Sequence, residues 1–234
     1  MSSFTPMQQD DCINGKCFLC KHSLPQWRTL IASRKDVFTF KKGKKIFREG
    51  EPVKGIFFIL EGSVTVAKNW GEDKELILRF LKEGNVLGYR GFGGELQYPV
   101  SATALEDCKV CFIDNEFLEL ILVANGSLTY QVMQVYATEL QKTDKRMRDL
   151  VLRDVKERIV LALLEIVDAF GSRDDGFLAL PISRQDIASY AGTTYETVFK
   201  FFSELSAKSI LTTSGKHIRI DDRQALKAIL KDIE

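Results

Sequence analysis

The chain predicts an α+β fold: an all-β N-terminal domain, one long helix, and a small C-terminal domain of short helices with a β-hairpin. Three observations carry this expectation. Between Val37 and Ile113, short runs rich in Val, Ile and Phe are punctuated by glycines, the pattern of a β-barrel or sandwich. From Leu128 to Phe170 there is no Pro and no Gly, and apolar residues recur at mostly three- and four-residue steps, which is helical periodicity. Beyond residue 181, two short helical patterns are separated by Ala191-Gly192-Thr193, a turn in which Gly192 takes a positive φ without steric cost.

In chain order, VFTF runs to a turn at Gly43, KKIF to Gly50, and GIFFILEG leads into SVTVAK. ELILRFL then follows a turn near Gly71, NVLG follows Gly84, and SATAL and KVCFI close the β region. Gly91, Gly93 and Gly94 crowd one loop. In the long helix Val132, Val135, Tyr136, Leu140, Thr143, Met147 and Leu150 form a narrow stripe, with Glu139, Lys142, Lys145 and Arg148 elsewhere. Such a stripe suits a helix that pairs with a copy of itself, although a helix lying on its own domain has a similar pattern. The expected divisions are a Cys-containing leader (1–24), a β-barrel sensor domain (25–124), a dimerisation helix and hinge (125–155) and a C-terminal domain (156–234).

Bulk properties narrow the classes. The 234 residues carry a net charge of +1, with 45% hydrophobic and 28% charged residues, an ordinary globular composition. Any contact with nucleic acid must therefore come from a local face. No apolar run approaches the ~20 residues that span a bilayer, so no membrane partner is expected. The N-terminus MSSFTPMQQDDC lacks a basic region followed by an apolar stretch, which predicts no secretory signal and a cytoplasmic location. No G-x-S-x-G, H-E-x-x-H, P-loop or dinucleotide fingerprint is present, and there are only two histidines; the chain is not expected to be an enzyme.

The C-terminal stretch PISRQDIASYAGTTYETVFKFFSELSAKSIL is the most informative. Ser183 with Asp186 makes a capping-box start, and Thr193 or Thr194 caps the next helix, Thr193 with Glu196 repeating the box. Val198, Phe202 and Leu205 form that helix's core face. Two short helices about a glycine turn are the helix-turn-helix plan, in which the start of the second helix reaches base edges. Thr193, Thr194, Tyr195, Glu196, Lys200 and Ser203 are the candidate DNA-contacting residues there. ILTTSGKHIRI reads as a hairpin wing that brings Lys216 and Arg219 to the backbone. A carboxylate accepts from cytosine N4, a lysine donates to guanine, and helix N-termini bind phosphates.

With these residues in place, the chain resembles the CRP/FNR superfamily of bacterial transcription regulators, FNR-like more than cyclic-AMP receptor-like. FKKGKKIFREGE, GIFFILEGSVTV and KEGNVLGYRG resemble that family's cyclic-nucleotide-binding-type jelly roll. ISRQDIASYAGTTYETVFKFFSEL resembles its helix-turn-helix, with the recognition glutamate at Glu196 and Lys200 where an arginine is usual. The resemblance implies a homodimer on a near-palindromic double-stranded operator, with RNA polymerase as a further partner. The rival reading is a sensor of the same fold that acts through protein contacts alone.

The resemblance also bears on the signal. Where cyclic-nucleotide binders carry Gly-Glu and Arg-Ser or Arg-Thr pairs, this chain has Gly88-Tyr89 and Pro99-Val100-Ser101-Ala102, so cyclic AMP is not expected. FNR holds a [4Fe–4S] cluster on three N-terminal cysteines and one in the barrel, and four thiolates are the usual requirement. Cys12, Cys17, Cys20 and Cys111 are the corresponding candidates, although their C-x4-C-x2-C spacing reverses FNR's. Zinc with His22, reactive thiols, or buried cysteines with no role are the other readings.

Overall fold

The computed structural model describes residues 17–71, 74–180 and 182–231. Two compact units divide the chain: one runs to residue 140 apart from the segment 74–78, and the other comprises that segment with residues 141 onward.

The first unit is a two-sheet antiparallel jelly roll. One sheet has the order β1 (Asp36–Phe40), β8 (Cys108–Asp114), β3 (Gly55–Glu61), β6 (Val86–Leu87). The other runs β2 (Lys45–Phe47), β7 (Ser101–Ala104), β4 (Ser63–Trp70), β5 (Lys74–Lys82), of which residues 79–82 belong to this unit. Every glycine-bounded run read from the sequence is a strand. In β3 all residues but the last are buried, because both faces of its sheet are covered. Phe57 points toward the opposite sheet, its ring 5.7 Å from that of Phe47. Ile56, Phe58 and Leu60 share a second core with Cys111 and Ile113 of β8.

Helices cover that second face. They are α1 (Phe18–His22), α2 (Arg28–Arg34) and α3 (Asn115–Ala124), which contribute Leu19, Ile31, Phe117 and Ile121. Cys17, Phe18, Leu19 and Cys20 of the expected leader thus belong to this second core. Asp114 caps α3 by accepting from the Phe117 N–H at 2.8 Å. Asn125 then accepts from the Leu128 N–H at 3.2 Å, which restarts the chain as α4 (Gly126–Leu152).

The second unit packs α5 (Val155–Phe170), α6 (Arg184–Ala191), α7 (Tyr195–Ala207), the hairpin β9 (Leu211–Ser214)–β10 (His217–Ile220) and α8 (Arg223–Lys227). Ile159, Leu163, Ile187, Val198, Phe202 and Leu211 are among its fully buried residues. A capping box between Asp154 and Glu157 starts α5 and separates it from α4. No helix of the described residues is long and apolar enough to cross a membrane.

Candidate nucleic-acid interface

The helix-turn-helix is assembled by local chemistry. The Asp186 N–H donates to Ser183 Oγ at 3.1 Å, and the Ser183 N–H donates to Asp186 Oδ2 at 2.7 Å. Both halves of the box that starts α6 are therefore made. α6 ends at Gly192, whose φ of +63° is one that L side chains rarely adopt. The Thr193 N–H donates back to the Ala188 carbonyl at 2.9 Å, closing the helix end.

The cap of α7 is Thr194, not Thr193. Thr194 Oγ1 accepts from the Thr197 N–H at 3.3 Å, so the expected Thr193–Glu196 box is replaced by a cap one residue later. That shift leaves Glu196 in the first turn of α7. Its carboxyl is held below the usual carboxylate range by its own backbone N–H, the Thr194 hydroxyl and Lys200. It is therefore an acceptor only, the form that pairs with an exocyclic base amine.

α7 separates two faces cleanly. Val198, Phe201, Phe202 and Leu205 are buried, whereas Tyr195, Glu196, Phe199, Lys200 and Ser203 are exposed. The Ser203 hydroxyl donates to the Phe199 carbonyl at 3.0 Å. In the wing, Ser214 pairs with His217 about a turn at Gly215, and Lys216 stands exposed at the tip. Arg219 is engaged within the unit: Nε is 2.6 Å from Asp221 Oδ1, and its guanidinium lies 5.3 Å from the Phe177 ring centre. Of the two cations assigned to the wing, Lys216 is the one presented outward.

Two arginines that the sequence reading did not single out hold this unit together. Arg158 donates to four carbonyls: Nε to Ala191 at 2.9 Å, Nη2 to Gly192 at 3.4 Å, and Nη1 to Arg153 at 3.0 Å and Leu150 at 3.5 Å. These are the exposed acceptor ends of α6 and α4, where a cation is favoured by the helix dipole. Arg146 stacks on Tyr190 at 3.7 Å. No short-range pattern marks an arginine whose partner lies 33 residues away.

The α4 stripe is divided between two jobs. Val132 and Val135 pack on the core of their own barrel. The Tyr136 ring meets Tyr89 edge-on at 5.3 Å, and its hydroxyl donates to the Tyr89 carbonyl at 2.6 Å. Leu150 Cδ2 lies against Gly192. Thr143 is exposed, and Leu140 and Met147 are 64% and 62% exposed, on a line with Tyr130, Met133 and Val151.

One small cavity lies in the jelly roll. Phe47, Arg79, Gly88, Tyr89 and Arg90 are among the residues lining a cavity of about 10 Å³, the space of one water. Beside it Arg79 Nε is 3.1 Å from Glu139 Oε2, with side chains only 11% and 12% exposed, and the Tyr89 hydroxyl donates to the same oxygen at 3.2 Å. Burial and the Glu139 carboxylate push the Tyr89 phenol up, so it stays a donor.

Cys17, Cys20 and Cys111 are buried in one apolar core, and the Cys20 N–H donates to Cys17 Sγ at 3.4 Å. Cys12 lies outside the described residues. Cys108 is a separate buried thiol, donating to the Ser63 carbonyl at 3.1 Å. Among the described residues, no three of His, Cys, Asp or Glu gather closely enough to hold a metal ion. The described thiols thus do not by themselves fit a four-thiolate cluster, and His22 completes no zinc site among them.

Comparison with known proteins agrees with this architecture. Residues 37–125 match the cyclic nucleotide-binding domain family and residues 157–229 the Crp-like helix-turn-helix domain family. The transcriptional activator protein FnrA of Stutzerimonas stutzeri is 30% identical over 94% of this chain and 91% of its own length. The anaerobic regulatory protein of Bacillus subtilis is 31% identical over 76% and 77%. Among solved structures, FixK2 from Bradyrhizobium japonicum aligns with a TM-score of 0.75 at 27% identity, covering 86% of this chain and 99% of that one.

Proposed function

The chain belongs to the CRP/FNR family of DNA-binding transcription regulators, and we propose that it works as a homodimer on a near-palindromic operator. The family is one of regulators and not of enzymes. The observation that carries the proposal is the two-faced recognition helix. α7 spends Val198, Phe201, Phe202 and Leu205 on its own core and presents Tyr195, Glu196, Lys200 and Ser203 together outward. Thr193, Thr194 and the wing-tip Lys216 flank that face and supply phosphate contacts. Arg219, tied to Asp221, contributes a weaker one.

The dimer uses the outward line of α4, centred on Leu140, Thr143 and Met147, with Tyr136 at its margin. Val132, Val135 and Leu150, the remaining members of the stripe, support the helix from within. Pairing two such helices places two recognition helices about one turn of DNA apart, ~34 Å. Arg158 makes α4's end and the α6 turn one mechanical piece, so a small rotation of α4 about its axis reaches α7. This is a two-state element that a sensor input biases. RNA polymerase is the expected protein partner in the cytoplasm.

The input we assign to the thiol-bearing core. Likeness to a protein named anaerobic regulatory protein supports a redox signal, and Cys17, Cys20 and Cys111 share the cluster that would receive it. Gly88-Tyr89 and Pro99-Val100-Ser101-Ala102, in place of the Gly-Glu and Arg-Ser or Arg-Thr pairs, argue against a cyclic nucleotide such as cyclic AMP. A [4Fe–4S] cluster requires Cys12 to join Cys17, Cys20 and Cys111 in a rearranged site. Anaerobic purification with iron and sulfide analysis tests it: about four irons per chain supports a cluster, and an iron-free protein points to thiol chemistry alone. The DNA-binding reading is tested by a gel shift across salt concentrations. Affinity must fall steeply, with a slope of about −0.9 per phosphate neutralised; no shift at low salt favours the protein-contact reading.

A further inference from the structure

Tyr195 and Phe199 stand one turn apart on the outward face of α7, 40% and 50% exposed. Their rings are 6.2 Å apart and 24° from parallel, so they form one apolar surface. The Arg184 guanidinium sits 5.9 Å from the Phe199 ring centre, a cation over the ring face that restrains it. The unit does not need these rings for its own core, because Val198, Phe201, Phe202 and Leu205 already fill it. Glu196 and Lys200 flank Phe199 on the same exposed face. An apolar pair set among groups that hydrogen-bond bases calls for an apolar feature on the same surface of the partner.

In the major groove the largest such feature is the C5-methyl of thymine; cytosine offers only a C5–H there, and the hydrogen-bonding groups are polar. A phenyl ring has no donor or acceptor to offer a base edge, and Arg184 and Lys200 beside it are complementary to the flanking phosphates. We propose that Phe199, braced by Tyr195, is a specificity-determining residue that reads one thymine methyl in each half-site. The assignment rests on the DNA-binding reading and adds to it a named base feature. It sets the chain apart from one that reads the same site through Glu196 and Lys200 alone.

The test uses the full-length protein and a duplex it selects from a random-sequence pool. Each thymine of the selected site is then replaced, symmetrically in both half-sites, by deoxyuridine, which removes the methyl and nothing else. One position is expected to weaken binding by about fourfold per half-site, the effect of un-burying one carbon, and so by about sixteenfold in the symmetric duplex. In Phe199→Ser the same replacement should have no effect, whereas Phe199→Leu keeps part of it. Unchanged melting temperatures for both variants show that the fold is intact. A selected duplex that tolerates uracil everywhere overturns the Phe199 assignment alone, as does an equal uracil effect in Phe199→Ser. A pool that enriches no sequence overturns the DNA-binding reading and this one with it.

Discussion

Replacing Met147 with glutamate perturbs the proposed dimer without touching the monomer's core. The side chain is 62% exposed in its own chain, so most of its surface is available to a partner. Full burial of a methionine is worth about 1.5–3 kcal/mol, so the available fraction is worth roughly 1–2 kcal/mol per protomer. A symmetric dimer loses it twice, about 2–4 kcal/mol before the two carboxylates repel one another. At about 1.4 kcal/mol per tenfold, the dimer dissociation constant rises by roughly 30-fold to 700-fold. Sedimentation equilibrium reads that constant, and anisotropy with a labelled duplex reads DNA affinity, which must fall in step. Helicity and melting of the diluted monomer should be unchanged, since exposed substitutions alter stability by about 0.5 kcal/mol or less. An unchanged dimer constant would show that the line through Leu140 and Met147 is not the interface.

Three further outcomes follow from the second unit. Thr194→Ala removes the cap of α7 and should cost about 1 kcal/mol, seen as a melting temperature lower by about 4–8 °C if that unit melts by itself. Arg158→Met strands the carbonyl ends of α4 and α6 and should destabilise the unit by at least ~1.5–3 kcal/mol in urea, with Arg158→Lys recovering part of the loss. Glu157 is held below the ordinary glutamate range, first by the Lys231 N–H, then by the Asp154 N–H and Arg153. A depressed folded-state value means stability that is present above ~4.3 and lost as pH falls through the folded value. Glu157→Gln should therefore flatten the acid limb of the stability profile, and a profile identical to the parent's would refute this.

How much of this was legible beforehand depended on the range of each interaction. Strands bounded by Gly43, Gly50, Gly62 and Gly84 could be read directly because those glycines take positive φ, a local demand with a local signature. The Ser183–Asp186 box and the Val198–Leu205 core face were equally local. The helices α1–α3 escaped because their apolar residues answer to a sheet face that the chain builds elsewhere. The fate of Val132 and Val135 was hidden for a related reason: an apolar stripe does not say whether its partner is the chain's own barrel or a second copy. Arg158 and the Arg79–Glu139 pair join residues 33 and 60 positions apart, beyond any periodicity. Arg219 likewise read as a free cation until Asp221 and Phe177 came to its side.

Dimeric, sequence-specific binding is read most directly in the footprint of the protein on its selected duplex. Hydroxyl-radical cleavage at increasing protein concentration should show two protected regions with centres about 10 bp apart, appearing together as two chains bind one duplex. Glu196→Ala should weaken the selected duplex far more than a scrambled one. A single protected region, binding by one chain, or equal affinity for scrambled DNA would contradict a dimeric regulator that reads its operator through α7.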